Sequence, residues 1–272
     1  VVANVVLSSE QDGITSLLGD IEKVPMFPEK ARPLYGKKEG LSGRLRYLHY
    51  ELDKQLPKYR DNLYQIYLLC SEQLYLKSVV SAVFEQWSLV PEVLTVSQAE
   101  DFFINGKEVS GLSLLLCVDC WPHGESGEHS EFITAQVLST VDYVKDSNLS
   151  SFAALGRVMK LSAGELEQSL EMLFDYNELE RADKRCIWLA GDEDVFFDEL
   201  LMFSIKHDLE LPANKSVRSL KLSFGPSSSL RFFVSLALMV DAAKYSNLDQ
   251  LLISAESKDS GLLCYVKKGY LL

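Results

Sequence analysis

A group of cysteine and histidine side chains near position 120 is the first feature that could support chemistry. Cys117-x-x-Cys120-x-x-His123, with His129 shortly after, offers four soft or borderline ligands, a set that zinc binds in tetrahedral geometry. Cys117 also lies within an apolar run, where a thiol packs as a small hydrophobic side chain. We therefore expect no bound metal, and a zinc site on Cys117, Cys120, His123 and His129 is the alternative.

A serine-rich turn is the second such feature. Gly225-Pro-Ser-Ser-Ser229 precedes an apolar segment, 230–245, that we predict to be a helix. A turn of this kind presents backbone N–H groups and hydroxyls to an anion at a helix N-terminus, although the lysine of a phosphate-binding P-loop is missing. A serine that simply caps the helix is our first interpretation, and cofactor binding by Ser227, Ser228 and Ser229 is the alternative.

Other catalytic patterns are weak. The five cysteines form no disulfide framework, which fits reduced thiols and a cytoplasmic location. Four histidines and the lack of a G-x-S-x-G elbow give little support for a serine hydrolase. The apolar stretch 232–240 is far shorter than the roughly 20 residues of a membrane-spanning helix. We expect no catalytic residue and no membrane partner.

The charge is distributed unevenly along the chain. The formal net charge is −12, from 27 basic and 39 acidic residues. Segment 30–60 has nine basic and three acidic residues, whereas segment 165–199 has twelve acidic and three basic residues. Most of the negative charge therefore comes from one segment of the chain.

The basic segment, 30–60, allows two interpretations. Tyrosines lie between its cations, as in proteins that stack the bases of single-stranded nucleic acid on aromatic rings. The other interpretation, which we favour, is a solvated helix face whose tyrosines point inward. The candidate nucleic-acid contacts are Lys37, Lys38, Arg44, Arg46, Lys58 and Arg60.

Residues 1–121 are predicted to be a helical region that ends in a β-hairpin. The spacing of Leu45, Leu48 and Leu52 predicts an amphipathic helix that Pro57 ends. Further helices are predicted over 58–76 and 77–90. Asn105-Gly106 predicts a type I′ turn between strands 102–104 and 112–118.

Residues 132–194 are predicted to form a separate domain. Helices are expected over 132–145, 149–160 and 162–176, the last with a capping box of Ser162 and Glu165, and a β-hairpin follows. This order resembles the winged-helix superfamily. The third helix has no lysine or arginine, so it would be repelled by DNA, and the resemblance implies the protein-binding kind of winged helix.

Residues 195–272 are predicted to be a small βαβ-type unit. A helix is expected over 195–207, then strand 220–224, helix 230–245 and strand 251–254. Tyr265-Val-Lys-Lys-Gly269-Tyr270, together with the preceding Ala243, Asn247, Leu251 and Ile253, resembles the end of a Gcn5-related acetyltransferase. The resemblance implies acetyl-CoA as cofactor, Tyr265 as general acid, and the serine turn near the cofactor phosphates.

Taken together, the sequence predicts an α+β protein with a mainly helical N-terminal part, a winged-helix-like middle and a small α/β C-terminal unit. We expect a non-catalytic bridging or regulatory subunit of an intracellular multiprotein complex, acting through contacts with other protein subunits. One alternative is an acetyltransferase of the Gcn5-related class or a degenerate relative. The other is a nucleic-acid-binding accessory protein that uses the basic segment.

Overall fold

The computed structural model describes residues 1–10, 14, 30–36, 40–106, 111–121, 127–179, 185–191, 194–207 and 217–269. Its helices are α1 (Leu41–Gln55), α2 (Leu76–Trp87), α3 (Val96–Asn105), α4 (Val141–Asp146), α5 (Leu166–Tyr176), α6 (Asp194–Lys206), α7 (Leu220–Phe224) and α8 (Arg231–Ser246). Its strands are β1 (Ala3–Leu7), β2 (Leu63–Cys70), β3 (Glu92–Val93), β4 (Leu112–Asp119), β5 (Phe132–Leu138), β6 (Ala153–Leu155), β7 (Met159–Ser162), β8 (Arg185–Gly191), β9 (Val217–Ser219), β10 (Asp249–Ala255) and β11 (Ser260–Lys268).

Two mixed sheets organise these elements, and they repeat one topology. The first sheet has the order β1-β5-β4-β2-β3, with β2, β3 and β4 parallel and β5 antiparallel to its neighbours. The second has the order β6-β11-β10-β8-β9, with β8, β9 and β10 parallel and β11 antiparallel. Strand β7 also pairs with β11. In each half, one helix precedes the antiparallel pair of strands that follows it in the chain. Helix α3 precedes β4 and β5 in the first half, and helix α8 precedes β10 and β11 in the second.

Three apolar clusters give the protein a layered core. The first cluster packs α1 and α2 on the outer face of the first sheet, and another packs α5 and α6 on the outer face of the second. The third lies between the sheets and contains α8 and Ala99 of α3. Residues 232–240 of α8 are all buried, as a helix enclosed on every side requires. The layers therefore run helix, sheet, helix, sheet, helix.

The predicted winged helix at 132–194 is wrong. Half of the predicted first helix is strand β5, and the predicted second helix contains strand β6 and the start of strand β7. Strand β8 does not form a hairpin, because it lies between two parallel neighbours inside the second sheet. Only α5 is where the third helix was expected, and its N-cap is Glu165 without a side-chain capping bond. Glu199 of α6 accepts hydrogen bonds from the Gly164 and Leu166 amides instead.

The predictions for 1–121 are partly confirmed. Helices α1 and α2 and strand β4 are where the spacing placed them. The predicted helix at 58–76 is wrong, because its apolar run is the buried strand β2. Asn105-Gly106 ends α3 and makes no hairpin, and Gly106, with φ of 62°, is the helix C-cap. A left-handed glycine serves both a type I′ turn and a helix end, so the residue pair did not distinguish them.

The C-terminal region is closer to its prediction. Helices α6 and α8 and strand β10 are confirmed, whereas 220–224 is the short helix α7 and not a strand. The coarse α+β class is also confirmed. The division into 1–121, 132–194 and 195–272 stays a prediction. Within the described residues, no helix is long and apolar enough to cross a bilayer.

Candidate functional site

The candidate site lies where the two halves of the chain meet, at the carboxyl ends of parallel strands. Asp119 is the last residue of β4, and the turn before α8 approaches it from the second half. This edge of an α/β sheet is where polar side chains can converge without interrupting strand pairing. Asp119 is buried, with 1% of its surface exposed, so its carboxylate requires partners.

Among the residues that the structure describes, Ser228 and His129 contact the Asp119 carboxylate through their side chains. The Ser228 hydroxyl donates a hydrogen bond of 2.6 Å to Oδ2, and Nε2 of His129 lies 2.8 Å from Oδ1. The Ser228 oxygen also accepts a 3.0 Å hydrogen bond from the Leu230 amide at the start of α8. The three side chains therefore form a Ser228–Asp119–His129 cluster with the carboxylate at its centre.

Electrostatics favour a protonated His129. The neighbouring Asp119 carboxylate raises the pKa of the His129 imidazole, and partial burial opposes that effect. A cationic imidazole beside the carboxylate balances a charge that would be costly to bury alone. Ser228 then donates to a carboxylate whose charge is already compensated.

The turn that carries Ser228 is fixed to the first half by close contacts. The Ser130 amide donates to the Pro226 carbonyl at 2.8 Å, and the Ser130 hydroxyl donates to the Phe224 carbonyl at 2.5 Å. Gly225 has φ of +85°, and a Cβ there would lie 2.4 Å from the Lys30 carbonyl oxygen. Only glycine fits this approach, so the local sequence determines where Ser228 lies.

A small cavity lies beside the cluster. Its volume is about 20 Å³, and its wall includes Asp119, Phe132, Ser227 and Arg231. Such a volume holds about one water molecule. An extended acyl chain does not fit inside it.

Arg231, which also lines this cavity, connects the serine turn to the second sheet. Its guanidinium donates to the carbonyls of Ser228 at 3.1 Å and Ala255 at 2.8 Å, which connects the turn to the end of β10. Nearby, burial raises the pKa of Glu256, and the charge of Arg231 opposes that effect. A cation with a fixed position therefore stands at the N-terminus of α8.

The cysteines are poorly suited to act as nucleophiles. Burial raises the pKa of Cys117 and of Cys264 to about 12, and it also raises the pKa of the other three thiols. A thiol attacks as its thiolate, which these environments disfavour. A helix N-terminus can lower the pKa of a nearby cysteine. Helix α3 offers no such case, because it begins at a Thr95–Gln98 capping box and no cysteine lies in its first turn.

The predicted zinc ligands are not brought together in the described residues. Cys117 packs in the cluster between the sheets, whereas Cys120 packs against the outer cluster of the first sheet. His129 is engaged with Asp119. His123 lies outside the described residues, so the four-ligand site as a whole stays a prediction.

The basic segment is mostly an exposed helix face. Arg46, Lys58 and Arg60 are exposed, Arg44 is half-buried, and Lys37 and Lys38 lie outside the described residues. Tyr47 and Tyr50 point outward, with about half of their surface exposed, and only Tyr59 is buried. The inward orientation expected for these tyrosines thus holds for one of three. Nucleic acid as a partner stays a prediction.

The serine turn and Tyr265 have different surroundings. Ser227 lines the cavity, Ser228 belongs to the cluster and Ser229 is exposed. Tyr265 is buried in β11, in the outer cluster of the second sheet, and its hydroxyl donates to Asp249 at 2.5 Å. That hydroxyl lies at the opposite end of β10 from Ala255, which approaches the turn.

Comparison with solved structures shows a consistent likeness. One similar chain comes from the complex "AntDE:AntF (apo): type II PKS acyl-carrier protein in complex with its ketosynthase bound to the hexaketide", with TM-score 0.65, 11% identity and 98% of both chains covered. The ketosynthase from module 1 of the bacillaene synthase of Bacillus amyloliquefaciens FZB42 has TM-score 0.62 and 8% identity, covering 100% of this chain and 76% of that one. The 3-oxoacyl-[acyl-carrier-protein] synthase III of Aquifex aeolicus VF5 has TM-score 0.52 and 9% identity over 98% of both chains.

No family model and no curated protein sequence matches the chain. The likeness therefore concerns the fold.

These findings correct three expectations. The resemblance to winged helices is wrong, and the expected non-catalytic bridging or regulatory subunit is corrected with it, because the two-sheet fold is shared with condensing enzymes. The resemblance to Gcn5-related acetyltransferases is also wrong, because the whole chain, including 217–269, belongs to a two-sheet fold shared with condensing enzymes. The role that this resemblance implied for Tyr265 therefore loses its support. From its topology and these likenesses, the chain has a thiolase-like fold, the fold of ketosynthases and related condensing enzymes.

Proposed function

We propose that this chain is an acyl-transfer protein of the condensing-enzyme class, or a degenerate relative. In this proposal the Ser228 hydroxyl accepts the acyl group of a thioester substrate. The observation that carries the proposal is the hydrogen bond from Ser228 to the buried Asp119 carboxylate, with His129 on the other oxygen. A hydroxyl bonded to a general base is the usual arrangement of an activated oxygen nucleophile. The likeness to ketosynthases supports acyl thioesters as the substrate class.

The step balances within this cluster. The Ser228 oxygen attacks the thioester carbonyl carbon while its proton passes to Asp119. The carbon–sulfur bond then breaks, the departing sulfur takes the proton from Asp119, and a free thiol leaves an ester on Ser228. His129 orients the carboxylate, and the N-terminal end of α8 favours the negative charge that develops on the carbonyl oxygen.

The test is the mass of the intact protein after incubation with acetyl-CoA, malonyl-CoA or an acetylated carrier protein. We expect one acyl group per chain, removable by hydroxylamine, and its loss in Ser228→Ala. Ser229→Ala is the matched control, because it removes the neighbouring, exposed hydroxyl and should leave acylation unchanged. An adduct that persists in Ser228→Ala, an adduct on a cysteine, or no adduct with any donor would contradict the proposal.

We also propose a cytoplasmic location. All five cysteines are free thiols, which fits a reducing compartment. Fractionation of the native cell with an antibody against this chain tests it, and recovery from an oxidising compartment would contradict it.

A further inference from the structure

A second group of ionisable side chains lies far from Ser228, on the outer helix layer of the second sheet. Glu167 and Glu171 stand four residues apart on α5, and His207 follows the last residue of α6. Nε2 of His207 lies 3.3 Å from Oε1 of Glu167 and 3.8 Å from Oε1 of Glu171. One ligand atom from each residue lies within 4.8 Å of the other two.

The packing of the two helices explains why these side chains meet. Leu166, Leu170 and Leu173 turn one face of α5 into the core, so the adjacent face, with both glutamates, borders α6. The His207 ring packs on Phe203 with the ring centroids 4.4 Å apart, and its amide bonds to the Phe203 carbonyl. Only 10% of the His207 side chain is exposed, which restricts the ring's orientation.

The His207–Glu167 contact is a hydrogen bond of 3.3 Å, and its length is also compatible with a shared ion. Zinc binds nitrogen and oxygen at about 2.0–2.2 Å, so two ligands of a tetrahedral zinc lie about 3.3–3.6 Å apart. A strong hydrogen bond between imidazolium and carboxylate is shorter, at about 2.7–2.9 Å. The His207–Glu167 distance of 3.3 Å equals the zinc value, and the distance to Glu171 needs only a small side-chain movement.

The site is also open to an ion and already attracts a cation. The glutamate side chains are 42% and 44% exposed, which leaves access for an ion and a water ligand. The ammonium group of Lys206 contacts the same Glu167 oxygen that faces His207. That ammonium group holds a position next to the one a metal would take, so it should compete with the metal.

We propose that Glu167, Glu171 and His207 form a binding site for a divalent transition metal of the zinc type. One imidazole nitrogen and two carboxylates match zinc, with water as the fourth ligand. The site is independent of the acyl-transfer proposal, because it shares no residue with the Ser228–Asp119–His129 cluster.

Calorimetric titration of the reduced full-length protein with ZnCl₂ tests the proposal, with MgCl₂ as the comparison. We expect one zinc bound, at least about tenfold weaker binding in His207→Asn and in Glu171→Gln, and tighter binding in Lys206→Met. Asp175→Asn is the matched control, because it removes an exposed carboxylate from the same helix and should leave the affinity unchanged. Glu171 is surface-accessible, so Glu171→Gln keeps the test valid even where His207→Asn fails to fold.

Cobalt as a spectroscopic probe separates this site from the thiols. Co²⁺ in the proposed site gives visible bands without a thiolate charge-transfer band, and His207→Asn weakens them. Equal affinity of the parent, His207→Asn and Glu171→Gln proteins, or an equal loss in Asp175→Asn, would overturn the proposal. A thiolate band that persists in His207→Asn would do the same, because it would place the metal on cysteine.

Discussion

Ser228 and Asp119 are 109 residues apart in the sequence, and the Ser228 hydroxyl donates a 2.6 Å hydrogen bond to the Asp119 carboxylate. One residue ends a strand of the first sheet, and the other precedes the central helix α8 of the second half. The bond therefore joins the two repeated halves at the point where the proposed chemistry takes place. The stability of this junction and the proposed activity should depend on the same few residues.

Asp119→Asn should weaken that junction. The amide keeps an oxygen acceptor but loses the charge that compensates His129, so a buried partner is left poorly satisfied. We expect the free energy of unfolding to fall by about 1–3 kcal/mol, measured by urea denaturation. Asp142→Asn, which removes an exposed carboxylate on α4, is the control and should change little. Equal effects of the two substitutions would show that the Asp119 contacts contribute no stability.

The contact between His129 and Asp119 should make stability depend on pH. The pKa of His129 is raised in the folded state. The stabilisation that its protonated ring provides is therefore fully present below the unfolded-state pKa of 6.5, and it is lost as pH rises through the folded-state pKa. Between pH 6 and 8, the parent should lose more stability than His129→Gln. His49 acts in the opposite direction, because burial lowers its pKa. Urea denaturation across this range tests the prediction, and parallel curves for parent and His129→Gln would contradict it.

Gly225 should tolerate no side chain, because two constraints coincide there. Its φ of +85° disfavours other residues, and a Cβ would lie 2.4 Å from the Lys30 carbonyl. Gly164 provides the control: its φ is +81°, but a Cβ there meets nothing within 4 Å. Gly164→Ala should cost about 1 kcal/mol from the backbone alone, and Gly225→Ala more. Melting temperatures report the comparison, and acylation of Ser228 should fall only in Gly225→Ala.

Some elements could be predicted from the sequence because the spacing or the length of their apolar residues fits only one type of element. Helix α1 shows one apolar stripe, Leu45, Leu48 and Leu52, and all three are buried. The run 232–240 was long enough to be a helix and is the central one. Other elements, such as the strands β2 and β5, are mistaken for helices, because a strand buried on both faces has apolar residues on both sides and can then show helical spacing by coincidence.

The site was less predictable than these elements. The sequence places Ser228 at a helix N-terminus, and it indicates His129 only as a candidate zinc ligand. Asp119 had a signal, a carboxylate at the end of an apolar strand, but its partners come from distant parts of the chain. The two halves repeat in topology, and no repeated motif in the sequence revealed it. Pairing over such distances depends on tertiary packing, which local spacing does not encode.

Asp241 on α8 gives a separate test of the central layer. Burial raises the pKa of its carboxyl to about 6, and the Asn4 amide donates a 2.6 Å hydrogen bond to it. Because this pKa is raised in the folded state, the protonated carboxyl group of Asp241 stabilises the fold relative to the ionised one. That contribution to the free energy of unfolding is fully present below the unfolded-state pKa of 3.8 and is lost as pH rises through about 6. Asp241→Asn removes the charge and keeps an oxygen acceptor for Asn4. We expect the variant to exceed the parent in unfolding free energy at pH 8 by about 1–3 kcal/mol, with the difference shrinking towards pH 4. Asp146→Asn, at an exposed site, should show no such trend, and a difference for Asp241→Asn that stayed constant with pH would mean that the carboxylate is solvated in the folded protein.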